Sequence, residues 1–194
     1  HTAERANQLM RQMIFAIVAF ALCASSVLAQ TNGKFDRSKW KLWSDFDGDC
    51  VSTRDEALLS QSEKPVTMDG KGCKVTLGRW TDPYSGEVFG APGALDADHV
   101  VPLSLAYRSG GDKWDAKKRE QFANDEECIL AVSASLNRQK ADKGLDRWLP
   151  PLHSFRCAYV ELFRRCKQKW KLRFIGDEAE AIRDTLAECK PLEG

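Results

Sequence analysis

Asp96-Ala97-Asp98-His99-Val100-Val101-Pro102-Leu103 decides the fold of this chain, together with Asn137-Arg138-Gln139-Lys140 further along. The first stretch places a carboxylate and an imidazole next to each other at the end of a short apolar run. Neighbouring side chains of a strand point to different faces. Asp98 and His99 therefore fit a strand end at which one group holds a metal and the other activates water, and Asn137 adds an amide oxygen.

The segments around this stretch predict the order strand, insert, strand, helix. The apolar segment 129–132 predicts the second strand, and 133–141 predicts a short helix that carries Asn137. Helices are predicted inside the insert at 103–109 and 115–123. This order is the outline of a ββα-metal finger.

The rest of the chain predicts a single α+β domain with helical inserts and disulfide-tied flanking segments around that finger. Thr53 and Glu56 have the spacing of a capping box, which predicts the start of a helix. The other predicted elements are strands at 74–80 and 87–89 and helices at 155–173 and 178–189.

The first part of the sequence has the features of a secretory signal peptide. Arg11 precedes an apolar stretch at 14–23, and Val27-Leu28-Ala29 forms a small-residue cleavage site. We expect residues 1–29 to be the signal peptide with some upstream residues and residues 30–194 to form the domain. The expected product is a secreted or periplasmic protein without a membrane anchor.

Overall charge does not predict a polyanionic partner. The chain has 29 basic and 28 acidic side chains, and residues 1–29 hold only two of the basic and one of the acidic ones. The part that follows is therefore charge-balanced. If this protein binds nucleic acid, local clusters of basic residues must do so.

The motifs of this chain resemble those of the HNH (His-Me finger) endonucleases, and in particular the secreted bacterial HNH endonuclease family proteins. Their order and spacing carry the resemblance, which covers most of residues 30–194 and has its core at about 94–141. The matching stretches are Asp47-Gly48-Asp49-Cys50 with Thr53-Arg54-Asp55-Glu56, Gly78-Arg79-Trp80-Thr81-Asp82-Pro83-Tyr84-Ser85-Gly86, Asp98-His99, Phe122-Ala123-Asn124-Asp125, Ala131-Val132-Ser133-Ala134-Ser135 and Trp148-Leu149-Pro150-Pro151.

The resemblance implies a nuclease with His99 as the general base and one Mg²⁺ or Mn²⁺ held by Asp98 and Asn137. Oxygen donors suit these hard ions. The implied substrate is DNA, with RNA as the other candidate, and no protein partner is evident. Cys128 departs from the pattern, because related motifs carry there an Asn that supports the histidine. A backbone carbonyl is the substitute acceptor that we expect.

Six cysteines follow the signal segment, and an even number in an exported chain predicts three disulfides. No Cys-x-x-Cys spacing favours zinc. The resemblance implies the pairs Cys50–Cys73 and Cys157–Cys189, which leaves Cys128–Cys166.

A basic helix is the main candidate for the nucleic-acid track. Residues 156–173 contain seven basic side chains and one acidic side chain. A charge run of this kind is also typical of a solvated helix face. The predicted phosphate contacts are Arg138, Lys140, Arg164, Lys167 and Lys171. Weaker candidates are Arg79, Arg108 and Lys117-Lys118-Arg119.

A second metal site is predicted before the first helix. Asp45, Asp47, Asp49 and Glu56 have the spacing of ligands in an EF-hand-like calcium loop, although Cys50 stands where that loop requires glycine. The alternative is a solvated turn that anchors a disulfide. A structural Ca²⁺ there would fit an alternative function, that of a non-catalytic calcium-stabilised extracellular module.

Overall fold

The structure is a computed structural model that describes residues 33–189, so the expected signal peptide lies outside the described residues. Within 33–189 no helix combines the length and the hydrophobicity needed to cross a bilayer. The helices are α1 (Thr53–Ser60), α2 (Leu103–Arg108), α3 (Ala116–Ala123), α4 (Ala134–Lys140), α5 (His153–Lys169) and α6 (Glu178–Glu188). The strands are β1 (Thr67–Met68), β2 (Val75–Leu77), β3 (Trp80–Thr81), β4 (Val88–Phe89), β5 (Leu95–His99) and β6 (Ile129–Ser133).

The strands β5 and β6 form an antiparallel pair, and α4 follows β6 directly. Their register runs from Leu95 opposite Ser133 to His99 opposite Ile129. The predicted order strand, insert, strand, helix is therefore present in this mixed α/β domain. The two-residue repeat of β5 puts Asp96 and Asp98 on one face and Leu95, Ala97 and His99 on the other.

Helix α1 begins with a cap that differs from the prediction. Ser52, not Thr53, is the capping residue: its hydroxyl accepts from the Asp55 N–H at 3.3 Å and donates to the Asp55 carboxylate at 2.8 Å. Thr53 donates to the carbonyl of Ser44 at 2.7 Å. Ser52 and Thr53 each precede an acidic residue by three positions, so the capping-box spacing alone did not show which of them caps the helix.

The segment 74–80 forms two short strands rather than one. Strand β2 pairs with β1, while β3 pairs with β4, and the break falls at Gly78. A Cβ at Gly78 would lie 2.4 Å from the Trp80 ring, so only glycine lets the chain pass this close to the indole.

Helix α5 anchors the main core, where Tyr159, Val160 and Phe163 are completely buried. The helix ends at Lys169, earlier than the predicted 173, and Lys171 adopts a positive φ of 53° in the turn that follows. A change to the left-handed region is a common end of a helix.

Three disulfides connect the irregular segments to the helices, in the pairing that the resemblance implies. Cys50–Cys73 joins the loop before α1 to the segment before β2, and Cys157–Cys189 joins α5 to the end of α6. Cys128–Cys166 joins the turn that precedes β6 to the buried side of α5.

Candidate active site

His99 ends β5 and lies almost entirely inside the protein. Its Nε2 is 2.8 Å from the carbonyl oxygen of Ala123, at the end of α3. A carbonyl oxygen only accepts, so Nε2 donates the hydrogen bond and Nδ1 of the neutral ring carries the free lone pair. The imidazole also stacks on Trp43 with ring centroids 5.4 Å apart. A backbone carbonyl therefore orients this ring, as we expected from the replacement by Cys128.

Burial lowers the pKa of the His99 imidazole to about 4, and the positive charges of Lys140 and Arg37 act in the same direction. The hydrogen bond to Ala123 and the negative charge of Asp98 oppose this shift. The ring is therefore neutral at neutral pH, which is the form that a general base requires.

Asp98 lies on the opposite face of β5, where protein groups engage both carboxylate oxygens. The Tyr84 hydroxyl donates to one oxygen at 2.6 Å, and the Lys140 ammonium group lies 2.8 Å from the carboxylate. A divalent ion at Asp98 would have to displace these partners. The contacts therefore do not favour Asp98 as the predicted metal ligand.

Lys140 is completely buried and also donates to the carbonyl of His99 at 2.7 Å. Burial lowers the pKa of its ammonium group, while the charge of Asp98 and the hydrogen bond to it oppose this shift. The charged group of Lys140 faces the core, so its contacts do not favour the predicted role as a phosphate contact.

Asp96 lies beside Asn137 on the same side of the hairpin. The Asn137 amide donates to one Asp96 oxygen at 3.0 Å, and both side chains are partly exposed. Within residues 33–189 no hydrogen bond engages the amide oxygen of Asn137 or the second oxygen of Asp96. This pair therefore offers the oxygen donors that a hard divalent cation requires.

The predicted basic track on α5 is not a single exposed face. Lys167 is completely buried and pairs with Glu178 of α6. Arg164 pairs with Glu161, and Lys171 lies beyond the end of the helix. These three basic residues therefore do not share one exposed helix face, and this arrangement does not favour the predicted phosphate track.

Other predicted basic residues differ in how far they are neutralised. Arg138 is exposed on α4 and makes no ion pair within residues 33–189. Arg79 pairs with Glu63 at 3.1 Å, and Arg108 pairs with Asp142 at 3.2 Å. Arg138 therefore keeps a charge that is free to meet a phosphate.

The loop before α1 brings three of its predicted calcium ligands together. Ligand oxygens of Asp45, Asp47 and Asp49 lie within 4.8 Å of one another. Cys50 adopts a φ of 74°, the left-handed conformation that glycine supplies in an EF-hand loop, and the disulfide holds it there. Burial raises the pKa of Glu56, and the nearby acidic charges add to this effect. The calcium site stays a prediction.

Sequence reasoning gave no role to three participants of this site. Tyr84 and Ala123 lie in stretches that carry the resemblance, but their contacts with Asp98 and His99 join segments that are 14 and 24 residues apart. Arg37 belongs to a short 3₁₀ turn far upstream, outside every matching stretch, and its charge is one of those that lower the pKa of His99. Asp96 stood inside the quoted motif, two residues before Asp98, but was not named as a ligand.

Comparisons with known proteins give the family. A protein of Arthroderma benhamiae described as an uncharacterized secreted protein is 36% identical over 157 residues, which cover 80% of this chain and 76% of that protein. No solved structure matches the chain. The profile of the C-terminal domain of GmrSD restriction endonucleases matches residues 52–185, which include the β5–β6 pair, α4 and His99. The chain belongs to the family of the C-terminal domain of GmrSD restriction endonucleases.

Proposed function

We propose that this protein is an exported, metal-dependent endonuclease that hydrolyses phosphodiester bonds of DNA with little sequence specificity. Membership in a restriction endonuclease family supports a nuclease that acts on nucleic acid. The observation that carries the proposal is the neutral His99 ring, oriented by Ala123 at 2.8 Å, in the same hairpin as the Asp96–Asn137 pair.

His99 acts as the general base in this proposal. The Ala123 carbonyl holds the Nε2–H, so Nδ1 accepts the proton of the attacking water. Stacking against Trp43 restricts the ring to one orientation. Proton transfer requires this restriction, since the base must point at the water when the phosphate arrives.

Asp96 and Asn137 would hold the Mg²⁺ or Mn²⁺ ion, and Asp98 would act as a positioning residue. When bound, such an ion stabilises the negative charge that develops on the phosphate oxygens. Asp98, held by Tyr84 and Lys140, fixes the end of β5 from the opposite side of the strand to His99. The base His99 and the ligand Asp96 thus belong to one strand, and the second ligand, Asn137, belongs to the helix that follows the hairpin.

Weak sequence specificity and export follow from other parts of the chain. The exposed charge of Arg138 beside Asn137 supports contacts to backbone phosphates, which hold a nucleic acid without reading its sequence. The secreted relative and the three disulfides support an extracellular or periplasmic location.

A nicking assay on supercoiled plasmid tests the proposal. We expect wild-type protein to convert the plasmid to open circles in Mg²⁺ and to be inactive in EDTA. His99→Gln, which keeps an N–H donor for the Ala123 carbonyl, should be inactive in Mg²⁺. Failure of the wild type to cut plasmid DNA or RNA with either Mg²⁺ or Mn²⁺ would instead favour the calcium-stabilised module.

A further inference from the structure

A cavity of about 480 Å³ opens beside α4. Several elements that are distant in sequence contribute to its wall, including the 3₁₀ turn at Arg37–Lys39, the start of α2 and the end of α4. Its polar lining residues are Arg37, Ser104, Asn137, Arg138 and Asp142. The proposed metal ligand Asn137 is therefore part of its wall.

The charge of this cavity is positive. Arg37 and Arg138 are exposed, and neither makes an ion pair within the described part of the chain. The one acidic residue of the wall, Asp142, is paired with Arg108 at 3.2 Å. Two guanidinium groups thus remain available, and such groups match the geometry of phosphate oxygens.

A buried polar atom at the same place also lacks a partner. The hydroxyl oxygen of Ser104 is buried and makes no hydrogen bond to any residue between 33 and 189. Buried hydroxyl groups in proteins are normally paired. Ser104 is part of the cavity wall, so its unpaired hydroxyl group is a polar feature of this site that is independent of the two arginines.

The cavity is electrostatically connected with His99. After burial, which has the largest effect, the charge of Arg37 is one of those that lower the pKa of His99. The same Arg37 side chain is part of the cavity wall.

We propose that this cavity binds a backbone phosphate of the substrate, with Arg37 and Arg138 as its charged contacts and Ser104 as a neutral donor. The assignment rests on the proposed nuclease function and adds to it the groups that position the nucleic acid next to Asn137. Arg37 would hold the strand from a segment outside the ββα core, which explains why the motif alone did not reveal it.

Equilibrium binding of a fluorescent duplex in EDTA tests this assignment separately from cleavage. We expect Arg37→Gln and Arg138→Gln each to weaken binding about tenfold, as for a lost hydrogen bond to a charged group. The double variant should flatten the logarithmic salt dependence by about 1.8 units, since each lost phosphate contact removes about 0.9. Arg37→Lys should keep the slope but not the full affinity.

The matched control is Arg183→Gln, which removes the same charge from an exposed site on α6. It should change neither slope nor affinity. Unchanged duplex binding by the Arg37 and Arg138 variants, in a wild type that binds and cuts, would overturn this inference and leave the nuclease proposal intact. A wild type that never cuts the duplex, but binds it and loses this binding in both arginine variants, would overturn the nuclease proposal and leave the phosphate-binding cavity supported.

Binding of inorganic phosphate to the wild type provides a second test. If free phosphate binds the wild type tightly while the arginine substitutions leave duplex binding unchanged, the cavity belongs to a small anion, and the assignment to the backbone fails. Melting temperatures of all variants should match the wild type, because both arginines are exposed.

Discussion

Lys140 donates a hydrogen bond to the backbone carbonyl of His99 at 2.7 Å, so a side chain of α4 fixes the peptide group that carries the candidate base. The same ammonium group neutralises Asp98 in the interior. The end of β5 is thus held by an internal cation rather than by solvent.

The Lys140→Met variant should be strongly destabilised. It leaves the Asp98 carboxylate buried without its counter-charge, which typically costs about 3–5 kcal/mol. Urea denaturation followed by tryptophan fluorescence measures the loss. Adding Asp98→Asn should restore part of the stability because the orphan charge disappears. A single variant as stable as the wild type would show that Lys140 does not serve this structural role.

The Asp96→Asn and Asp98→Asn variants should separate metal binding from folding. We expect Asp96→Asn to weaken Mn²⁺ binding, measured by calorimetry, with little change in melting temperature. We expect Asp98→Asn to lower the melting temperature while Mn²⁺ affinity is largely kept, since Asp98 binds Tyr84 and Lys140. The reverse result would return the ligand role to Asp98, as the resemblance implies.

The stability of the protein should decrease as the pH falls from about 6.5 to about 4. The pKa of His99 is lowered from 6.5 to about 4 by burial, so between these values the unfolded chain binds a proton that the folded protein rejects. The stabilising contribution of the neutral His99 ring is complete above the unfolded-state pKa of 6.5. It is lost as the pH falls towards the folded-state pKa of about 4.

The control for this pH effect is His99→Gln, which removes the titrating group. Chemical denaturation of both proteins at several pH values gives two stability curves. Their difference isolates His99 from the carboxyl groups that titrate in the same range. Parallel curves would mean that the ring is accessible to water in solution.

Calcium should raise the melting temperature if the loop before α1 is a metal site. Extracellular calcium modules bind in the range of about 0.1–1 mM, so about 10 mM Ca²⁺ should stabilise the protein measurably. Asp49→Asn should remove the effect and leave nicking activity in Mg²⁺ unchanged. An identical melting temperature with and without Ca²⁺ would leave the loop as a disulfide-anchored turn.

The sequence predicted those features that local patterns encode. Strand β6 follows from the apolar segment 129–132 and helix α4 from the segment after it, and the ββα outline follows from their order after His99. The pattern could not distinguish Asp96 from Asp98, because both lie on one strand face and the position of α4 decides which carboxylate meets Lys140. The high density of basic residues in 156–173 likewise did not show that the Lys167 side chain is buried, because its partner Glu178 belongs to α6.

The contact between His99 and Ala123 also limits how far the catalytic motif can be moved between proteins. The acceptor of the His99 hydrogen bond belongs to the insert between β5 and β6, not to either strand. A transplanted hairpin and helix would carry the base and the metal ligands but would lose the group that aims the ring. Shortening the insert would also remove the Ala123 carbonyl. In this chain the ββα unit therefore depends on the insert between its two strands to orient the histidine.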